Sequence, residues 1–286
     1  MKKLIVWDLF GGGQNSVYNA LDKEQYDVYT FDVTEPSHEH QFKVDLSQDN
    51  IIEVFKQYPI PDIITASPLC QSFSIILAME GGGTCFWKLN DTKTLLIERS
   101  EEEFERLKKG FTKNLDAKTQ LFIKRLGEKC INNTLQLIDY YKPRLWYIEN
   151  PYHSLMWKYL TLNHKDFCNN WHVKLNKACY GQYGYPTSKP TYFMSNVPLE
   201  LNNKFIEKPY FVKYIDGVKY YVLKANPKVK SKNRTIAVNH LQSGKQKERL
   251  TSLQTGEAGE RSKIPTLLIQ NIFWQFYSIL NAGWLF

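Results

Sequence analysis

The chain has 286 residues, 43% of them hydrophobic and 14% aromatic, which excludes a disordered chain and allows one large domain or a large and a small one. The formal net charge of +8 and pI of about 9.0 suit a polyanionic partner such as DNA or RNA, and equally suit a merely soluble basic protein. Five cysteines without a C-x-x-C pair speak against zinc. Met1-Lys2-Lys3 leads into an apolar run that meets Asp8 at once, too short for a signal core, and no run approaches the roughly 18 apolar residues of a membrane span. The expectation is a reduced, cytoplasmic protein with no membrane and no metal.

Residues 3–8 (KLIVWD) form an apolar run closed by an acid and then Gly11-Gly12-Gly13, the pattern of a buried strand entering a glycine turn. A helix is predicted over 14–22, and a strand over 26–31 closed by Asp32. Residues 50–58 carry Ile51, Ile52, Val54 and Phe55 at helical spacing, and 61–66 form the next strand. Strands alternating with helices predict a parallel sheet covered on both faces. Residues 88–128 are rich in charge and include Glu101-Glu102-Glu103; they read as a solvated loop and a helix running on to about 141. A strand over 144–148 ends in Glu149-Asn150-Pro151, and 172–196 hold two short strands around a turn. Residues 197–250 change character, with β-rich pieces (YFVKYI, KYYVLK) between Lys, Asn and Pro. A final amphipathic helix over 261–281 starts at Ile264-Pro265, where proline suits the first turn. The predicted organisation is a domain over 1–196, a small β-rich region over 197–255 and a returning helix within 256–286.

Ligands of open α/β sheets bind at the carboxyl ends of strands, and chemistry-bearing residues gather at those ends here. The Asp8–Gly13 turn lets a ligand approach the backbone. Asp32 stands about 20 residues after the first glycine, where an acid binds ribose hydroxyls. The chain lacks G-x-G-x-x-G, so a nucleoside ligand without a pyrophosphate fits better, and S-adenosylmethionine is one. Asp45, after a third short strand, is placed to accept from an adenine amine. Cys70 follows the strand over 61–66 in DIITASPLCQSFS. It reads as an exposed nucleophile, or as a small buried hydrophobe, the common fate of an unreactive cysteine. Glu149 reads as its partner at a second strand end, or as a plain exposed acid.

These residues, in order, resemble the DNA (cytosine-5) methyltransferases, in a divergent, phage-like form. Asp8-Leu9-Phe10-Gly11 with Gly13 resembles the cofactor motif D-L-F-x-G-x-G. Ser67-Pro68-Leu69-Cys70-Gln71-Ser72-Phe73-Ser74 resembles the nucleophile loop P-P-C-Q-x-F-S, and Glu149-Asn150-Pro151 resembles E-N-V. Tyr183-Gly184-Tyr185-Pro186 with Lys189 and Thr191 resembles Y-G-x-P-Q-x-R-x-R, Arg249-Leu250-Thr251 resembles R-x-L-T, and Ile264-Pro265 resembles the start of the last family helix. The departures are Leu69 for a proline, Pro151 for the valine, Thr187 for the glutamine, Lys189 and Thr191 for two arginines, and Ser262 at the asparagine of the last motif. Lysine keeps a charge but loses the bidentate fork.

The resemblance implies a Rossmann-like S-adenosylmethionine-dependent methyltransferase fold with a small β-rich target-recognition domain. It implies S-adenosyl-L-methionine as cofactor, S-adenosyl-L-homocysteine as product and double-stranded DNA as substrate, bound by a monomer, with a cognate restriction system as a partner. Cys70, Glu149 and Lys189 are then the catalytic candidates. Asp8, Phe10, Gly11, Gly13, Asp32, Asp45, Leu46 and Pro68 are the cofactor-binding candidates. Gln71, Ser74, Thr191, Lys230 and Arg234 are the DNA-binding candidates. Two alternatives stay open: an RNA or tRNA cytosine-5 methyltransferase of the same fold, and a catalytically impaired family member that only binds DNA.

Overall fold

The computed structural model describes residues 2–75, 86–109, 112–185, 189–204, 210–223, 230–232 and 263–282. In chain order these form β1 (Leu4–Leu9), α1 (Ser16–Ala20), β2 (Tyr26–Asp32), β3 (Gln41–Lys43), α2 (Ile51–Phe55), β4 (Ile63–Ala66), β5 (Trp87–Leu89), β6 (Leu96–Glu98), α3 (Glu101–Leu107), α4 (Ala117–Tyr141) and β7 (Leu145–Pro151). They continue as α5 (Met156–Asn163), α6 (Lys165–Asn170), β8 (Lys174–Cys179), β9 (Pro190–Ser195), β10 (Tyr210–Ile215), β11 (Val218–Leu223), β12 (Lys230–Ser231) and α7 (Thr266–Asn281). No helix among them is long and apolar enough to cross a membrane.

The main sheet has seven strands in the order β3-β2-β1-β4-β7-β9-β8. Strands β3, β2, β1, β4 and β7 run parallel, and β9 is antiparallel to β7. The predicted α/β class, a mostly parallel sheet with helices in its connections, is the observed one. Its central strands read as near-continuous apolar runs because both faces are covered. Val6, Trp7, Leu9, Phe31, Ile63, Ile64, Trp146 and Ile148 are fully or almost fully buried, and Trp7, Phe31 and Phe55 meet ring to ring.

The chain divides into two compact units, Met1–Asn176 with Thr191–Glu200, and Lys177–Pro190 with Leu201–Phe286. In the first, the charged stretch departs from its predicted loop: β5 and β6 pair as an antiparallel hairpin. Phe86 and Trp87 supply buried aromatic anchors there. α3 then starts on a capping box, the Ser100 hydroxyl accepting from the Glu103 N–H and the Glu103 carboxylate from the Ser100 N–H. α4 starts on Asp116, which accepts from the Thr119 N–H. In the second unit, β10 and β11 form a hairpin around Asp216-Gly217, both in the left-handed region, as a two-residue turn demands. α7 begins after Pro265, later than predicted, and buries Leu268, Ile269, Ile272, Phe273 and Phe276 along one face.

Candidate active site

Strand register places the first unit's candidate residues. Leu9 pairs with Phe31 and with Ala66, and Ala66 with Ile148. Phe10, Asp32, Ser67 and Glu149 therefore follow one row, at the carboxyl edge of β1, β2, β4 and β7. Two rows below that edge, Thr30, Asp8, Thr65, Tyr147 and Ser195 are register neighbours across five strands, and all five are buried. In-register neighbours share a sheet face, so this polar row lies directly beneath the edge that carries Asp32 and Glu149. The Thr65 hydroxyl donates to Asp8 Oδ1 at 2.9 Å. Asp8 Oδ2 is buried with no hydrogen-bond partner. Burial outweighs the Thr65 bond and, with the charge of Asp32, raises the Asp8 carboxyl to about 7. Burial also pushes the Tyr147 phenol well up, helped by the charges of Asp8 and Glu149.

The glycine turn differs from its expected role. A Cβ on Gly11 would lie 1.9 Å from Asp8 Oδ2, and one on Gly12 would lie 2.4 Å from Thr34 Oγ1 and 2.5 Å from the Asp32 Cβ. These two glycines make room for the protein's own carboxyl groups, whereas Gly13 faces open space. Phe10 sits at φ 65, a left-handed conformation that is uncommon for an aromatic residue and marks a constrained turn. Asp32 Oδ2 accepts from the Gly12 N–H at 3.2 Å and Oδ1 from the Thr34 N–H at 3.1 Å. Asp45 is exposed and accepts from the Ser47 N–H and hydroxyl on Oδ1. Leu46, expected to touch the cofactor, is a core side chain, and its carbonyl accepts from Asn133.

Cys70 is exposed and caps a single 3-10 turn, Gln71–Phe73. Of the other described cysteines, Cys130 and Cys179 are buried and Cys168 is half-buried. Burial, with the charges of Asp45 and Asp32, pushes the Cys130 thiol to about 12. Cys70 is thus the most accessible of the described thiols. Its loop is held from four sides. The Ser67 N–H donates to the Leu9 carbonyl, and Trp87 Nε1–H donates to the Ser72 carbonyl at 2.8 Å. Phe73, fully buried, stacks on Trp87 with ring centroids 5.2 Å apart. The Asn150 Nδ2–H donates to the Pro68 carbonyl at 2.9 Å. Asn150 Oδ1 is buried and without a hydrogen-bond partner.

Glu149 does not terminate its strand, as the sequence suggests. β7 continues through Glu149, Asn150 and Pro151 because β9 pairs with them, opposite Phe193, Tyr192 and Thr191. On the other side, pairing with β4 stops at Ile148. Glu149 is thus an almost buried residue with one paired flank and one flank towards the loop that leaves β4. Sequence reasoning missed Trp87 and Gly127, which shape that loop. The aromatic pair Phe86-Trp87 in a charged stretch was a signal for the first; a lone helical glycine is a faint one for the second.

Other candidates are placed less favourably. Thr191, expected among the DNA contacts, is fully buried, because β9 lies inside the sheet. Gln71 is exposed and Ser74 half-buried. In the second unit, the Lys189 ammonium lies 4.4 Å from the Tyr180 ring centroid and 5.4 Å from that of Tyr185. Lys230 is exposed, 5.5 Å from the Tyr220 ring. Arg234, Arg249, Ser262, Pro186 and Thr187 lie outside the described residues.

No family model and no curated protein matches the chain. Among solved structures it is similar to a DNA modification methyltransferase encoded within an E. coli prophage, at 16% identity and a TM-score of 0.39, over 68% of this chain and 46% of that one. It is also similar to a Spodoptera frugiperda DNMT2 triple mutant, at 14% identity and a TM-score of 0.38, over 72% of this chain and 56% of that one. The chain thus spans about half the length of these two structures.

Proposed function

We propose that the chain is a DNA (cytosine-5) methyltransferase. The observation that carries this reading is the 2.9 Å hydrogen bond from Asn150 to the Pro68 carbonyl, which joins the strand holding Glu149 to the loop holding Cys70. A nucleophile and an acid are thereby built into one hydrogen-bonded unit at the carboxyl edge of the sheet, where such folds bind ligands.

Carbon 5 of cytosine is a weak nucleophile, and the site's residues offer the covalent solution. The target base is flipped out of the duplex. The Cys70 thiolate adds to ring carbon 6, and Glu149 holds ring nitrogen 3 and the exocyclic amine. Addition opens the carbon 5–carbon 6 double bond and leaves an enamine whose carbon 5 takes the methyl group; a base then removes the carbon 5 proton and Cys70 leaves, restoring the double bond. Glu149 suits this task because burial strengthens its contact with the base. S-adenosylmethionine supplies the electrophilic methyl group when bound. Asp32 and Asp45 carry carboxylate lone pairs beyond those used by Gly12, Thr34 and Ser47, which fits ribose hydroxyls and an adenine amine. Phe10 and Asp8 border the same turn. Lys189 serves to position a phosphate or the base oxygen, and Gln71 and Ser74 fill the gap left by the flipped base. Residues 197–255 serve target recognition, through Lys230 and Arg234 among others.

Leu69 and the two missing arginines support a second reading, a family member that binds without turnover. Nucleoside mass spectrometry decides between them. Mixed-sequence duplex DNA and, in parallel, RNA are incubated with S-adenosylmethionine and wild type or Cys70→Ser. The proposal expects 5-methylcytosine in DNA with wild type alone. 5-Methylcytidine in RNA alone moves the substrate to RNA, and no product on either, with cofactor still bound, overturns the enzyme.

A further inference from the structure

The β10–β11 hairpin exposes apolar and aromatic side chains that a stable strand pair ordinarily buries. In antiparallel pairs, directly opposed residues share a face. Val212 opposes Tyr221, and Tyr214 opposes Lys219, so these four line one face. Tyr214 is 66% exposed and Val212 44%. The Lys219 ammonium lies 5.4 Å from the Tyr221 ring centroid. On the opposite face, Lys230 and Lys232 lie 5.5 and 6.0 Å from the Tyr220 ring. Across the described residues of these three strands and Lys232, Lys213, Lys219, Lys230 and Lys232 face a single carboxylate, Asp216 at the turn.

Three physical points narrow the occupant. The lysine excess selects a polyanion, and the chain's net charge has the same sign. A polyanion that also rewards exposed rings must offer flat apolar faces, as nucleic-acid bases do. Those faces are hidden in a duplex and open in an unpaired strand. Tyr214 and Tyr221 are diagonal neighbours on the shared face, roughly 7–8 Å apart, and the exposed Tyr214 ring can hold a base while Lys219 reaches a phosphate.

We propose that the Val212–Tyr214–Lys219–Tyr221 face of the hairpin is a stacking platform for an unpaired stretch of DNA. The proposal deepens the DNA reading above and rests on it for the choice of DNA. It assigns the region a preference for opened DNA, beyond phosphate contacts alone.

Fluorescence anisotropy of the full-length protein tests this. The probes are a labelled single-stranded DNA oligonucleotide, the same sequence as a paired duplex, and the same sequence as RNA. Wild type, Tyr214→Phe and Tyr214→Ala are compared, with thermal melts to confirm folding; Tyr214 is exposed enough for all three to fold alike. The expected result is tighter binding of the single strand than of the duplex. Tyr214→Ala should weaken single-strand binding roughly 5- to 100-fold, with duplex binding within about two-fold. Tyr214→Phe, which keeps the ring, should bind like wild type. Equal losses on single strand and duplex, no loss at all, or a preference for the RNA probe would each overturn the proposal. Methyl transfer is read on the same preparations. Transfer together with single-strand binding that does not depend on the ring defeats the platform and leaves the enzyme standing; ring-dependent binding without transfer does the reverse.

Discussion

Gly127 of α4 and Ser72 of the cysteine loop approach so closely that a Cβ on Gly127 would lie 1.7 Å from Ser72 Oγ and 2.6 Å from its Cβ. The helix is therefore the floor of the Cys70 loop. A glycine in mid-helix costs about 1 kcal/mol of helix propensity relative to alanine, and here close packing explains its presence. Gly127→Ala cannot be absorbed by rotating the serine hydroxyl, because the Ser72 Cβ is also in the way. The expected result is a net loss of roughly 1–3 kcal/mol from overpacking, read by urea unfolding, with a larger loss of methyl transfer than of stability. Adding Ser72→Gly should restore a substantial part of both. A Gly127→Ala protein more stable than wild type and fully active would contradict the packing.

Asn150→Ala removes the donor to the Pro68 carbonyl and leaves that carbonyl without its Asn150 bond. The expected cost is about 1–3 kcal/mol in stability. If the bond positions the loop, the variant should also lose at least about ten-fold in methyl-transfer kcat while cofactor affinity, measured by calorimetry, stays within about two-fold. A variant whose cofactor affinity falls as far as its kcat would show that Asn150 supports the fold generally.

Asp8 predicts a pH dependence of stability. Its carboxyl is raised in the folded state from 3.8 to about 7. The folded state therefore binds the proton more tightly than the unfolded one. The associated stability is fully present below about pH 4 and is lost as pH rises towards 7. Asp8→Asn removes this slope. Relative to the variant, wild type should lose roughly 2–3 kcal/mol between about pH 5 and about pH 8, measured by denaturant unfolding at each pH. Parallel curves for the two proteins would show that Asp8 is ionised throughout.

The strands and their order of use were legible in the sequence because buried parallel strands are written as apolar runs, and KLIVWD, YDVYTF and RLWYI need no partner to be recognised. The places of Asp32 at the end of one such run and of Cys70 after another were legible for the same reason, whereas the place of Glu149 inside its strand was not. The hairpin of Trp87–Leu89 and Leu96–Glu98 was not, because three-residue strands carry too little periodicity against a charged background. Nor was the extension of β7 through Pro151, which exists only because β9 pairs with it. Close approaches such as Gly127 to Ser72, and the committed state of Gly11 and Gly12, are decided by which elements meet in space. A sequence records local preference and burial pattern. The pairing of Asn150 with Pro68, 82 positions apart, is decided by the sheet that brings them together.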